Sequence, residues 1–439
     1  MQTDSIEKPT TVSSLFDKGK LFLKAIIIFF MAVALWLPTN FIQNVVSERE
    51  ARQQEAIADI NSKWAGSQTV TGPILTVPYI VDVKNDKGVI ESIRHTAFFI
   101  PDNIETQADV VPEKRHRGIY EVVVYKTAIS MKGTFNHLKF SELKVPLDKI
   151  IWSEARLQFH VSDNLKGINE DIFVNWNNQK ILFTPLPVNE WGVKDALTAS
   201  LPLTIEQIQN PFQFAIQFSL NGSEELLFAA SARENKITMR SSWKDPSFTG
   251  VKLPDVREVN DSGFVASWKY MNRAIPMVWS DRWDEGSIAS MGAGLTVAVD
   301  SYDKTTRSVK YALLCIILTF AAFFLIESIY KKPLHLVQYG LAGLALVLFY
   351  TLLLSISEYT GFNISYAIAG VATIGLVTWY VGSIMQSRKL AIFISFVLTV
   401  VYGYIFTIIQ LQDFSLLMGS IGLFIALAII MFFSRKLQW

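Results

Sequence analysis

The sequence has one cysteine in 439 residues, Cys315, and it sits inside an apolar run. A lone thiol cannot close an internal disulfide, so any large polar domain must be held by its core, and cysteine use gives no sign of compartment. As a nucleophile Cys315 would sit in hydrocarbon with no histidine near it in sequence; its setting fits a small buried packing residue. Charge is scarce at the C-terminal end. From residue 310 onward it is confined to Lys310, Glu327, Lys331, Lys332, Glu358, Arg388, Lys389, Asp413, Arg435 and Lys436. Between residues 41 and 309 there are 29 Lys plus Arg against 33 Asp plus Glu. That stretch is built for water and the later one for lipid. With a slight acidic excess and no basic run, it lacks the electrostatic footprint of a nucleic-acid-binding protein.

Other signatures are missing too. The five histidines are His95, His116, His137, His160 and His335, and no two lie three to five residues apart. That excludes a helical HExxH zinc site and leaves only a ligand set assembled from distant histidines and carboxylates. There is no Walker sequence, no GxGxxG after a strand and no GxSxG elbow. "MGSIG" at 418 to 422 flanks Ser420 with glycines inside an apolar run, where small residues let helices approach. Ser365, Ala369 and Thr373 form a small-residue row with the same reading. No catalytic, cofactor-binding or metal-ligating residue is assigned, and no cofactor is expected.

What the chain does have is long apolar runs, and a crossing needs roughly twenty apolar residues. The first is "LFLKAIIIFFMAVALWLP", 21 to 38, with Lys24 near its start. No small-x-small cleavage site follows, so it reads as an uncleaved anchor. Five more occupy 311 to 326, 339 to 357, 364 to 385, 390 to 409 and 416 to 433. Lys331 with Lys332, Arg388 with Lys389, and Arg435 with Lys436 fall on one side of these runs, and only Glu358 and Asp413 on the other. A Lys/Arg excess in short loops marks the cytoplasmic side. Lys8, Lys18, Lys20 and Lys24 put the N-terminus there as well. Six crossings return the tail to the side where the chain began, so the two lines agree. Lys304, Arg307 and Lys310 vote the other way, but they end a long translocated domain, where charge counts less, and Lys310 can snorkel to headgroups.

The expected organisation is a cytoplasmic N-terminus (1–20), an anchor (21–38), a helical stalk (41–65), an external domain (66–308), a five-helix bundle (309–433) and a cytoplasmic tail (434–439). "GIYEVVVYKTAISMKGTF" (118 to 135) alternates as a half-buried strand does. "FQFAIQFSLNGSEELLFAAS" reads as a hairpin around Asn221 and Gly222, where the turn reading is preferred to a glycosylation sequon. "ILTVPYIVDVKNDKGVIESIRHTAFFI" reads as a second hairpin turning at Asn85 to Gly88. With turn signals at Asn177, Asn178, Pro246 and Pro254, the domain is expected to be mostly antiparallel β, of sandwich or stacked-sheet type. The fold class is an α+β membrane protein with one N-terminal and five C-terminal transmembrane helices and this domain inserted between helices one and two.

"WAGSQTVTGPILTVPY", "RGIYEVVVYKTAISMKGTF", "SSWKDPSFTGVKLP" with "GFVASW", the run "SVKYALLCIILTFAAFFLIE" through "QYGLAGLALVLFYTLLLSISEYTGFNISYAIAG", and "DFSLLMGSIGLF" occur in that order. In these stretches the chain resembles the CreD family of inner-membrane proteins of Gram-negative bacteria, over nearly its whole length from about residue 20. The resemblance implies a bacterial inner membrane, a periplasmic domain and a role in envelope stress tolerance, with expression commonly under a two-component system. It supplies no catalytic residues.

Three stretches remain as candidate contacts. Lys114 with "RHRG" (115 to 118) is the densest basic patch of the external domain and could meet lipid headgroups, or be a solvated loop. Asp281, Asp284 and Glu285 could gather a divalent cation, though Arg282 lies among them and calcium-loop spacing is absent. "GPILTVPYI" (72 to 80) reads as a tight turn at Gly72 and Pro73 and a buried strand, with a partner groove beside it as the functional option. The expected function is non-enzymatic support of cell-envelope integrity through a periplasmic binding domain tethered to the bilayer at both ends. The alternatives are a lipid or small-molecule transporter, with hydroxyls such as Thr351, Ser355 and Ser395 lining a path, or an envelope-modifying enzyme. Expected partners are membrane lipids and an envelope protein or cell-wall component; nucleic acid is not one, and oligomeric state is open.

Overall fold

The computed structural model describes the whole chain except residues 1–10, 85–88, 137, 139, 187–195, 274, 281–287, 296–300, 331–332, 412–413 and 435–439. It divides into two compact units, Met1–Gln54 with Val299–Trp439, and Glu55–Ala298. Helix α1 (Thr11–Lys63) joins anchor and stalk without a break, although Pro38 lies inside it. Proline removes one backbone hydrogen bond. Beside it the Thr39 hydroxyl donates to the Trp36 carbonyl at 2.6 Å.

The β unit follows in chain order as β1 (Gln68–Lys84), β2 (Ile90–Phe99), β3 (Asn103–Arg117), β4 (Tyr120–Phe135), β5 (Arg156–Val161), β6 (Phe173–Trp176), β7 (Gln179–Leu182), β8 (Thr184–Leu186) and β9 (Ala196–Ser200). Then come β10 (Phe212–Ser223), β11 (Glu225–Ala229), β12 (Glu234–Ser241), β13 (Ser247–Gly250), β14 (Val256–Asn260), β15 (Gly263–Met271), β16 (Val278–Ser280) and β17 (Ser290–Gly294). One sheet runs β13-β17-β11-β1-β5-β9-β8, with β2 and β16 attached through β1; the other runs β14-β15-β12-β3-β4-β10-β6-β7. Pairing is antiparallel except for β1 with β11 and β3 with β12, so the mostly antiparallel expectation holds. Residues from both sheets form one core. Strand β10 shows why: its residues alternate buried and exposed over Phe212 to Leu220, so one face enters the core and the other meets water. Trp268, Tyr125, Phe135, Phe159 and Phe228 are among the largest fully buried side chains.

The 118 to 135 stretch is strand β4, and β1 with β2 form the second hairpin, paired from Leu75↔Phe99 to Lys84↔Ile90; its turn residues lie outside the described set. Asn177 and Asn178, at φ 46° and 70°, turn β6 into β7, as a two-residue hairpin loop requires. The Asn221-Gly222 hairpin is not there. Strand β10 runs straight through, pairing Asn221↔Lys126 and Gly222↔Tyr125 with β4. The chain bends only at Glu224, φ 59°, and β11 then joins the other sheet beside β1 and β17. Gly222 is glycine because Tyr125 is there: a Cβ would overlap the phenol and come within 2.8 Å of Gln68 Cγ. The turn at Gly72-Pro73 is also absent; both lie within β1, where the register with β5 shifts between Thr71 and Ile74.

The helical unit contains α2 (Ser301–Lys310), α3 (Ala312–Tyr330), α4 (Leu336–Thr360), α5 (Phe362–Met385), α6 (Arg388–Gln410) and α7 (Ser415–Ser434). Among the described residues α1, α3, α4, α5 and α6 are long and apolar enough to cross a membrane. The sixth expected crossing, 416 to 433, is helical within α7, and several of its side chains lie outside the described set. Where the sequence reading placed the boundary at 308, α2 belongs to the helical unit, because Tyr302, Thr305, Ser308 and Val309 give it a face to bury.

Candidate functional site

Two polar clusters close the ends of the helical unit. At one end Lys24 of α1 forms an ion pair with Glu327 of α3 and donates to the Leu334 carbonyl at 2.5 Å. The Tyr339 hydroxyl of α4 donates to the other Glu327 oxygen at 3.0 Å, and the Lys24 ammonium stands 5.9 Å from the Tyr339 ring centre. Glu327 is 8% exposed. His335 caps α4 beside this cluster: its Nδ1 accepts from the Val337 N–H at 3.3 Å while Gln338 Oε1 accepts the His335 N–H at 2.9 Å, a reciprocal capping box.

At the other end Glu358 of α4 faces Arg49 of α1 at 3.6 Å and accepts from the Tyr302 hydroxyl of α2 at 3.2 Å. Lys304 of α2 donates to Gln410 of α6 at 3.3 Å, and Gln410 donates to Asn363 of α5 at 2.6 Å. At 1.5 Å of rise per residue, the path along α4 from Tyr339 to Glu358 is about 28 Å. That matches the roughly 30 Å hydrocarbon core of a bilayer, so the two clusters mark the levels at which the helices leave it.

Between the clusters the unit is packed. Ile316, Phe320, Leu346, Phe349, Tyr350 and Leu353 are each at most 2% exposed. Phe349 meets the rings of Tyr350, Tyr366 and Tyr402 edge-on at 4.6 to 5.2 Å. Cys315 is fully buried, and its carbonyl takes the Thr319 hydroxyl at 2.7 Å. A gap lined by Phe323, Ile326, Leu334 and Met385 holds about 10 Å³, at the threshold for one water. Ser365, Ala369 and Thr373 are buried packing residues, while Thr351 and Ser355 face outward and do not line a path. Ser420 bonds its own helix at the Leu417 carbonyl, 2.8 Å away.

In the β unit the 72 to 80 stretch is buried as far as Tyr79, with β5 along Ile74 to Thr76 and β2 from Leu75 onward. Its side chains therefore serve the interior of the β unit. The basic stretch is the tip of the β3–β4 hairpin, and its cations are exposed but paired with carboxylates of the β unit. Lys114 pairs with Glu121 at 2.6 Å and Arg115 with Glu113 at 3.0 Å. Arg117 pairs with Asp59 at the base of α1, and Arg115 lies 5.2 Å from the Trp64 ring centre. His95 stacks on Tyr79, His160 lies buried in β5, and His116 is exposed. No group of three or more potential metal ligands occurs among the described residues; His137, Asp281, Asp284 and Glu285 lie outside them. Some surface carboxylates are held as anions by cationic neighbours. A Lys149 hydrogen bond lowers the Asp82 pKa, and Arg94 and Lys252 do the same for Glu154 and Asp255. An open groove of about 360 Å³ lies where β3, β12, β14 and β15 meet, lined by Asp109, Val111, Arg240, Ser241, Glu258 and Ser262 among others. The starts of two stretches quoted above, "SSWKDPSFTGVKLP" at Ser241 and Ser242 and "GFVASW" at Gly263 to Val265, contribute to it, but the other lining residues join them only through sheet pairing.

The family model described as "Inner membrane protein CreD" matches residues 20–439. The chain belongs to the CreD family. It is similar to the "Inner membrane protein CreD" of Escherichia coli (strain K12), 29% identical over 430 residues that cover 96% of this chain and 94% of that protein. With its apolar helices, membership of the CreD family makes it a multi-pass inner-membrane protein.

Proposed function

We propose that the protein supports cell-envelope integrity and envelope stress tolerance without catalysis, as a binding module displayed outside the cytoplasm. The β unit enters from α1 and leaves into α2, so the chain tethers it to membrane helices at both ends. The Lys/Arg bias supports this orientation: Arg388 and Lys389 follow α5 at the Lys24 end of the helices, and Glu358 lies at the other. Transport finds no support in the packed interior of the helical unit.

The observation that carries the reading is the contrast between that interior and the groove of the β unit. Arg240 lies 4.0 Å from Asp109, too loose for a strong pair, and Glu258 with Ser241 and Ser262 supplies further polar groups. Mixed charges and hydroxyls beside exposed Val111 and Val265 suit an extended polar ligand, a peptide or cell-wall strand. The test is survival of a Gram-negative host lacking its own CreD-family gene in a membrane-perturbing detergent. The full chain should restore survival, and Ser262→Trp, which fills the groove from an exposed position, should lose at least half of that rescue at equal membrane abundance. Full rescue by Ser262→Trp, or none by the parent chain, would contradict the reading.

A further inference from the structure

Helix α2 carries cations for which the described part of the helical unit supplies no carboxylate. Tyr302, Thr305, Ser308 and Val309 are buried, while Asp303, Lys304, Thr306, Arg307 and Lys310 remain partly or fully exposed. At 100° per residue, Lys304, Arg307 and Lys310 share the outward face with Asp303, leaving that face with two net positive charges. Lys304 is held by Gln410 at 3.3 Å and lies 5.8 Å from the Phe362 ring centre. Arg307 and Lys310 have no acidic partner among the described residues. Glu358, the carboxylate that α4 brings to this end, is taken by Arg49 and Tyr302. Among the described residues the face is therefore cationic and lacks an acidic partner for Arg307 and Lys310.

Its level is fixed by the same contacts. The helix bonds Glu358 near the end of α4 and Gln410 at the end of α6, and α3 starts two residues after Lys310. Those ends lie about one bilayer thickness from the Lys24–Glu327 cluster, so α2 lies at headgroup depth, where phosphodiesters are the abundant anions.

We propose that the Lys304, Arg307 and Lys310 face of α2 binds the phosphodiester headgroup of an anionic phospholipid. The bond to the neutral Gln410 amide keeps the Lys304 cation in place without cancelling its charge, and Arg307 supplies a planar fork that matches two phosphate oxygens. The site also accounts for three cations at the end of the helices where the orientation signal calls for few: they serve a lipid rather than topology.

The test uses the full chain purified in detergent and titrated with phosphatidylglycerol or phosphatidylcholine of identical chains, counting bound lipid by native mass spectrometry. Phosphatidylglycerol should bind at least about tenfold more tightly, since each cation near an anionic surface is worth about fivefold. Lys304→Gln/Arg307→Gln/Lys310→Gln should abolish the preference, and Lys304→Arg/Lys310→Arg should keep it. Should the triple variant be lost to misfolding, Arg307→Gln and Lys310→Gln, both outside the buried face, should each cut the preference severalfold. Equal binding of the two lipids, a preference unchanged in these variants, or displacement of the lipid by millimolar inorganic phosphate would each overturn the proposal.

Discussion

Glu327→Ala is expected to lower the stability of the purified protein by about 3 kcal/mol, the low end of the cost of breaking a buried ion pair. The low end applies because the Lys24 side chain keeps 21% of its exposure and can snorkel toward headgroups. Ordinary hydrogen bonds between membrane helices contribute only about 0.6 kcal/mol, and Tyr339→Phe, which removes one neutral donor to Glu327, should stay near that figure. What makes Glu327→Ala severe is the ammonium left behind. Lys24→Met/Glu327→Met should therefore recover most of the loss, since an apolar pair of similar volume replaces an ion pair at little cost. Thermal unfolding of the four proteins in one detergent separates the cases. Equal losses for Glu327→Ala and for the double variant would mean that packing, not charge pairing, holds α1, α3 and α4 together.

Gly222→Ala should destabilise the β unit by about 3 kcal/mol, at the upper end of overpacking. The added methyl would overlap the Tyr125 phenol. That ring is fully buried and its hydroxyl holds the Glu225 carbonyl at 2.8 Å, so it has nowhere to go. Gly118→Ala is the control. At the β3–β4 tip, φ is 61° with nothing within 4 Å of the added carbon, so only the left-handed backbone costs, about 1 to 2 kcal/mol. Protease resistance of the full chain in urea should rank parent, Gly118→Ala, Gly222→Ala. The reverse order would favour an isolated turn at Gly222.

These two sites show where the sequence could be read and where it could not. The apolar runs and the β1–β2 hairpin were legible because hydrophobic length and period-two alternation are local signals. The Asn221-Gly222 pair carried the same local signal and misled, because the need for glycine there arises from Tyr125, almost a hundred residues earlier. Lys24 and Glu327 each looked like an end charge. Only folding brings α1 and α3 together, and 303 residues of sequence hide the pair. The groove of the β unit was legible only in fragments: "SSWKDPSFTGVKLP" and "GFVASW" supply its edge at Ser241, Ser242 and Gly263 to Val265, while the residues from β3 and β14 carry no motif that would join them. The buried stretch at 72 to 80 shows the converse: a marked sequence can owe its character to the centre of a sheet.

Orientation is the claim on which the functional account stands, and impermeant-thiol labelling of spheroplasts tests it directly. In a Cys315→Ala background, Ser262→Cys in the β unit should react in intact spheroplasts, and Gln386→Cys between α5 and α6 should react only after the membrane is permeabilised. Labelling of Gln386→Cys from outside with Ser262→Cys protected would place the β unit in the cytoplasm and contradict the account.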